Sequence, residues 1–353
     1  MSSTEQNISS KIVSWYAENA RDLPWREIRD PYLIWVSEII LQQTTVQQGL
    51  SYYLKFVNKF PDVISLADAD EDEVLNLWSG LGYYSRARNM HFTAKYVVNE
   101  LKAVFPKDHD QLITLKGIGP YTAAAISSFS QNENHAVVDG NVIRLITRLY
   151  GIQEDTSISG TIRKIKKLTE ALLSFQEPQL FNQAIMEFGA LQCVFKNPVC
   201  QNCPLKAECK AYSKKLVNRI PFKGKRPKKK SRYFRVYHII DLDGKTMIEK
   251  RTNKDIWKGL YQFPLIEFSP LTKDVPACDL LDSRTYQTRF VKTFKQPLTH
   301  QLIHAEIHNI VVDRCVDLPI KTNQLVINSR DLVNYAFPKF IDWYLSDNSI
   351  PLF

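Results

Sequence analysis

Residues 115–144 read LKGIGPYTAAAISSFSQNENHAVVDGNVIR. The stretch opens with a glycine-rich turn between two helical segments and closes beyond an aspartate. Gly117 and Gly119 can take backbone angles that other residues avoid, so Lys116-Gly117-Ile118-Gly119 is expected to make a very tight hairpin. Pro120 suits the first position of the next helix, which would run through Tyr121, Ala124, Ala125 and Ile126. The first-turn N–H groups of that helix would be free to meet a phosphate. Asp139 and Gly140 stand at the mouth of another helix, Asn141 to Tyr150. A phosphate grip followed by an isolated carboxylate points to chemistry on a nucleic acid.

The surroundings fit that direction. A chain of 353 residues can hold two ordinary domains, each with its own core. A net charge of +9 and a pI near 9.1 favour a polyanionic partner without defining one. The first residues, MSSTEQNISS, lack a basic-then-apolar leader. No apolar run approaches the ~18 residues of a membrane span. The expectation is a soluble intracellular protein, cytoplasmic if bacterial, with no membrane association.

Upstream of the hairpin the chain reads as helical. Ile8 to Ala20 is amphipathic, and Leu23-Pro24-Trp25-Arg26 breaks it. Asp30-Pro31 is a helix-entry signal, with Asp30 as N-cap. The helix PYLIWVSEIILQQTTVQQ is expected to follow. Short helices are expected after Pro61-Asp62 and from Asp70 to Trp78. Ser79-Gly80-Leu81-Gly82 reads as a turn, and Tyr84 to Leu101 as a long helix. Glu38 stands out, because its neighbours one turn away are Ile34, Trp35, Leu41 and Gln42. Partial desolvation favours the protonated carboxyl, and a raised pKa is what a general acid needs near neutrality. Two carboxylates with split roles suit glycosidic cleavage: one protonates the leaving group, the other stays ionised beside a developing cation.

Downstream, four of the six cysteines crowd together. Cys193, Cys200, Cys203 and Cys209 have the spacing C-x6-C-x2-C-x5-C, while Cys278 and Cys315 are isolated. In a reducing compartment crowded cysteines point to a metal site rather than disulfides. Zinc held by four cysteines usually uses two C-x-x-C knuckles. One knuckle with long arms suits a bulkier iron–sulfur cluster better than zinc. Residues 214–232, KKLVNRIPFKGKRPKKKSR, then lose apolar periodicity and read as a charged, extended linker, with phosphate contact as a further role. After it come β-rich runs: YFRVYHIID, KTMIEKR, YQFPLIEF and Gln301 to Val312, with a hairpin turn at Asp241 to Lys245. Pro338 would start a short final helix. The C-terminal part therefore reads as α+β.

These residues together resemble a known family. LKGIGPYTA with VDGNV is similar to the helix–hairpin–helix and Gly/Pro-Asp signature of the endonuclease III superfamily of DNA glycosylases, and the cysteine loop is similar to its [4Fe–4S] loop. LPWR, DPYLIWVSEIILQQT, GLGYYSRARN and FNQAIMEFGALQC resemble the adenine glycosylase branch more closely than endonuclease III itself. The resemblance is dense over roughly residues 8–212. It implies a mainly α glycosylase domain at residues 1–213, with a six-helix module at about 25–130 and a cluster module at 1–24 and 131–213. The linker at 214–232 and a Nudix-like domain at 233–353 complete the division. WKGLYQFP is the best match to the Nudix fold. The carboxylate array G-x5-E-x7-R-E-x-x-E-E is missing from residues 233–353, so pyrophosphate hydrolysis is not expected.

The implied activity is removal of adenine mispaired with 8-oxoguanine or guanine from double-stranded DNA by a monomer with one [4Fe–4S] cluster on Cys193, Cys200, Cys203 and Cys209. Glu38 would protonate adenine, and Asp139 would stabilise the sugar cation or bond to it, held by Asn141. Tyr121 stands where endonuclease III carries a catalytic lysine, so Schiff-base lyase chemistry is not expected. Trp25, Arg26, Leu41 and Val46 would line the adenine pocket. Gln43, Thr44, Leu81 and Tyr83 would face 8-oxoguanine, with Gln43 and Tyr83 wedging into the stack, while Gly117 and Gly119 meet the backbone. Gln183 takes a position where some members have Glu. The family's 8-oxoguanine-reading loop often contains Phe-Ser-His; here Leu298-Thr299-His300-Gln301 keeps a hydroxyl in Thr299 and the imidazole of His300. Two other readings compete: a bifunctional endonuclease III-like glycosylase/lyase acting on oxidised pyrimidines, and a catalytically dead mismatch binder. Repair-protein partners and a role for the linker in binding them are further possibilities.

Overall fold

The computed structural model describes residues 3–224, 228–270, 286 and 288–347. Cys278 and residues 225–227 of the expected linker lie outside them. The chain divides into two compact units: Met1–Asp68 with Asn89–Lys225, and Ala69–Arg88 with Arg226–Phe353. The division departs from the expected boundary. Residues 69–88, read as part of the helical domain, group with the C-terminal half. Asp72 accepts from Lys250 Nζ at 2.5 Å and from the Tyr261 hydroxyl at 2.8 Å, and the Tyr84 hydroxyl donates to the Phe337 carbonyl at 3.3 Å.

The helices run in chain order as α1 (Ser3–Asn19), α2 (Pro31–Leu41), α3 (Val46–Lys59), α4 (Val63–Asp68), α5 (Glu71–Leu77) and α6 (Ser85–Glu100). Then come α7 (His109–Leu112), α8 (Pro120–Gln131), α9 (Gly140–Tyr150), α10 (Ser159–Leu173), α11 (Pro178–Leu191) and α12 (Lys210–Ser213). In the first unit α2 packs on α8, and α11 packs on both α1 and α9. Ile12, Leu145, Ile146, Leu172, Phe181 and Phe188 share one core. Asp30 caps α2 as expected, accepting from Tyr32 N at 2.8 Å.

The expected helix PYLIWVSEIILQQTTVQQ is two helices. Gln43 takes a left-handed φ of 58°, and the Thr45 hydroxyl then caps α3. Four polar residues, Gln42 to Thr45, interrupt the apolar run there, and Thr45 with Gln48 three residues on is the N-cap signal that marks the second helix. The 214–232 run is also not an extended tether throughout. Ile220 is buried, its carbonyl accepts from Arg148 Nε at 3.0 Å, and the Phe222 carbonyl accepts from Thr156 N at 3.0 Å. Charge composition marked the run as solvated, but its few apolar residues dock it.

Among the described residues the second unit holds a sheet of seven strands: β1 (Lys230–Asp241), β2 (Lys245–Lys250), β3 (Tyr261–Gln262), β4 (Leu265–Phe268), β5 (Thr288–Pro297), β6 (Gln301–Val312) and β7 (Gln324–Asn328). The main path is β3-β2-β1-β6-β5, with β4 on β1 and β7 on β2. β1 and β6 pair in parallel and the other pairs are antiparallel. The run YQFPLIEF splits into β3 and β4 at Pro264, which has no N–H for a ladder. α13 (Lys339–Leu345) buries Phe340, Ile341 and Tyr344 with Phe234, Val236 and Ile303 of the sheet. No helix among the described residues is long and apolar enough to cross a membrane.

Candidate active site

The first unit holds an open-mouthed cavity of about 690 Å3 bounded by α2, α8, the start of α9, α11 and the loops that carry Arg21 to Arg26 and Gln42 to Thr44. Glu38 reaches it from α2 with 6% of its surface exposed. The Tyr121 hydroxyl, at the first turn of α8, donates to Glu38 Oε2 at 2.7 Å. Burial pushes the Glu38 carboxyl up to about 7; the Tyr121 hydrogen bond opposes that shift and the charge of Asp139 adds to it. Glu38 is therefore poised to hold and release a proton near neutrality. Burial, then the charges of Glu38 and Asp139, hold the Tyr121 hydroxyl protonated.

Asp139 is the N-cap of α9. Its Oδ1 accepts from Val142 N at 2.7 Å and its Oδ2 from Asn141 Nδ2 at 2.7 Å. Burial raises its pKa, while those hydrogen bonds and Arg144 act against the shift. Arg144 donates to Asn141 Oδ1 at 2.9 Å and to the Cys193 carbonyl at 2.7 Å. The capping geometry fixes the Asp139 carboxylate at a helix N-terminus, where negative charge is favoured.

Trp25, Arg26, Leu41, Val46, Gln43, Thr44, Gly117 and Gly119 all line the same cavity. Trp25 is held edge-on against Tyr53, with ring centroids 5.1 Å apart. The two glycines play different parts. Gly117 has φ +84°, and a Cβ there would stand 2.8 Å from Asn89 Cβ. Gly119 is extended with open space beside it, and no side chain caps α8. The tight-turn argument therefore holds for Gly117 and not for Gly119.

Leu81, Tyr83, Thr299 and His300 belong to the other unit. Leu81 is buried, whereas Tyr83 is 46% exposed and takes a left-handed φ of 49°. Thr299 and His300 are exposed in the β5–β6 turn, where Leu298 N donates to the Gln301 carbonyl at 2.8 Å. The Tyr83 and Thr299 hydroxyls lie 3.1 Å apart in a hydrogen bond.

Cys193, Cys200, Cys203 and Cys209 line one small hollow of about 30 Å3 with Leu145, Arg148 and Leu205. None of the four is in a disulfide. Among the described residues no three His, Cys, Asp or Glu side chains form a grip for a single metal ion. Burial, followed by the charges of its neighbours, pushes the Cys203 thiol up to about 11 despite an opposing backbone N–H. Four thiols lining one hollow are the donor set that a thiophilic metal group would take as thiolates.

Sequence reasoning passed over two charged residues of the cavity wall, Arg21 and Glu187. A signal for Glu187 was present. It is an acid between buried Ile185 and Phe188 on α11, the same kind of placement that singled out Glu38.

Residues 36–171 match the model of the HhH-GPD superfamily of base excision DNA repair proteins, and residues 235–346 match a NUDIX domain. The chain is 35% identical over 307 residues to a protein named adenine DNA glycosylase from Buchnera aphidicola subsp. Baizongia pistaciae, covering 86% of each. The chain belongs to the adenine DNA glycosylase family. A namesake from Buchnera aphidicola subsp. Schizaphis graminum is 40% identical over 260 residues, covering 72% of this chain and 74% of its own length. Among solved structures, a thermostable thymine-DNA glycosylase aligns with TM-score 0.55 and 28% identity, over 60% of this chain and 98% of that one. The family assignment makes the protein a base-excision enzyme with a helical glycosylase domain and a NUDIX domain.

Proposed function

We propose that the enzyme excises adenine paired with 8-oxoguanine, or with guanine, in duplex DNA and leaves the strand intact. The observation that carries the reading is the Tyr121–Glu38 hydrogen bond at 2.7 Å inside a cavity that Asp139 also lines. An extrahelical adenine enters the cavity between Trp25, Arg26, Leu41 and Val46. Glu38 passes its proton to adenine N7. The glycosidic electron pair leaves with the base, and the sugar becomes an oxocarbenium ion. Asp139, oriented by Asn141, stabilises that cation or bonds to it; water then adds to the anomeric carbon, displacing Asp139 where it has bonded, and its proton returns to the Glu38 carboxylate, which gives the abasic product. Tyr121 cannot form a Schiff base, so β-elimination does not follow. This is why the adenine reading is preferred to an endonuclease III-like lyase.

Chemistry is assigned to residues 1–213, and reading of the opposite base to residues 233–353 together with Gln43, Thr44, Leu81 and Tyr83. Support for the reading role comes from backbone strain. Gln43 and Tyr83, the two wedge candidates, both hold left-handed conformations, with φ of 58° and 49°. A non-glycine residue pays on the order of 1–3 kcal/mol for that; six other described residues share the sign of φ, so the support lies in strain combined with position, Gln43 on the cavity wall and Tyr83 exposed beside Thr299. Thr44, Leu81, Thr299 and His300 complete the proposed contact set, with Gly117 and Gly119 at the backbone. Cys193, Cys200, Cys203 and Cys209 would hold one [4Fe–4S] cluster, which when bound supplies iron–thiolate bonds that staple their loop.

The test is a panel of duplexes, A opposite 8-oxoguanine and thymine glycol opposite A, analysed with and without alkali. Alkali-dependent cleavage of the adenine strand alone is expected. Alkali-independent cleavage at thymine glycol would establish the lyase instead, and tight binding without an abasic product would establish a mismatch binder.

A further inference from the structure

The proposed chemistry leaves one charged part of the cavity wall unused. Glu187 on α11 has a side chain only 2% exposed. Its Oε1 accepts from Arg21 N at 3.0 Å and Arg21 Nε at 2.7 Å. Its Oε2 meets one terminal nitrogen of Arg21 and one of Arg26, both at 2.6 Å. Arg26 also donates to the Arg21 carbonyl at 2.6 Å, and its guanidinium lies over the Tyr16 ring at 5.3 Å. The Tyr16 hydroxyl donates to Gln183 Oε1 at 2.9 Å, and Gln183 Nε2 donates to the Arg26 carbonyl at 3.2 Å. One carboxylate and one amide of α11 thus tie down the loop that carries both arginines.

The charged or titratable groups that share the cavity with Glu38 are Tyr121, Asp139, Arg21, Arg26 and Glu187. With Glu38 protonated, the two guanidiniums balance the carboxylates of Asp139 and Glu187. Proton transfer to adenine and departure of the base then place positive charge on the base and on the sugar. Without Glu187 one guanidinium charge on the cavity wall would be uncompensated; it would oppose both steps and would draw the proton off Glu38 beforehand.

We infer that Glu187 is a positioning residue for excision: it fixes Arg26 and Arg21 on the cavity wall and cancels their charge where adenine becomes cationic. The inference rests on the adenine-excision reading. A merely structural strut would lose stability on substitution without moving the pH dependence of the chemistry.

The test is single-turnover adenine excision across pH by wild type, E187Q, R21Q and the E187Q/R21Q pair, with affinity for a duplex carrying a non-cleavable 2′-fluoro-deoxyadenosine. E187Q is expected to bind that duplex within ~3-fold of wild type, excise about 30-fold more slowly and lose activity at lower pH on the alkaline side. R21Q is expected to move the alkaline limb the other way, and the pair, neutral again, to recover about 10-fold over E187Q. The inference falls if E187Q excises within ~3-fold of wild type, or if the double variant is slower than E187Q. If E187Q does not fold, R21Q decides alone: an unmoved alkaline limb overturns the charge role and an upward shift supports it. Wild-type protein that leaves adenine in place overturns the adenine reading and the inference with it. Wild-type excision with an indifferent E187Q overturns the inference only.

Discussion

The α2 wall and the α11 wall of the cavity each carry a carboxyl group almost sealed from water, and the two are set to opposite charge states. Glu38 faces a phenol and another carboxylate, and burial pushes it up to about 7. Burial acts on Glu187 in the same direction, yet the hydrogen bonds of Arg21 and Arg26 outweigh it and hold the group below the usual carboxylate range. Burial raises the energy of a charge in both places; the partner that comes with the burial decides whether the charge survives. One side of the cavity can therefore give a proton near neutrality while the other keeps its charge.

The largest expected effect of breaking that contrast is chemical. Glu38→Gln leaves mismatch binding in place and lowers single-turnover excision by about 10^3-fold, within the usual range for a lost general acid. Gel-shift and product analysis on the same protein separate the two; retained turnover would remove Glu38 from the acid role. Asp139→Asn is expected to slow excision by a similar factor of about 10^3, because it withdraws the charge facing the sugar cation.

Stability should show the contrast with opposite pH slopes. The Glu38 pKa is raised on folding, so its contribution is fully present below the ordinary carboxylate range and is lost as pH rises through about 7. Glu38→Gln should match wild type near pH 4 and be more stable at pH 8, by on the order of 3 kcal/mol. The Glu187 pKa is depressed, so its contribution is present above the ordinary carboxylate range and is lost as pH falls through the folded value. Glu187→Gln should thus lose stability at neutral pH and approach wild type in acid. Denaturant melts at several pH values check both, and parallel slopes for the two variants would contradict the assignment.

The second unit offers a smaller effect. Thr299→Ala and His300→Ala each remove one polar group from the β5–β6 turn and should lower discrimination of 8-oxoguanine from guanine by about 10-fold. Basal excision should change less. Equal losses opposite both bases would count against a reading role for the turn.

Much of the fold was legible because local signals agreed with it. Asp30-Pro31 opened a helix, Gly117 forced a turn, and β-rich composition marked β1 and β6. The misses share a cause, which is that tertiary contacts decided the local form. β5 was not read as a strand because it is an edge strand whose lysines and arginine blur alternation, as sheet edges often require. Residues 69–88 look like neighbouring helices and joined the C-terminal half through Asp72 and Tyr84. In the cavity, Glu38 was visible as an acid in an apolar stripe. Glu187 had the same mark, but its meaning depends on Arg21 and Arg26, which reach it only in the folded chain.

The pH dependence of single-turnover adenine excision from an A:8-oxoguanine duplex tests the acid role of Glu38 most directly. Wild type should lose about tenfold in rate for each unit above a midpoint near 7, the value at which Glu38 gives up its proton. Glu38→Gln should retain only a slow residual rate without that limb. A wild-type rate that stays level to pH 9, or an unchanged limb in Glu38→Gln, would contradict the account.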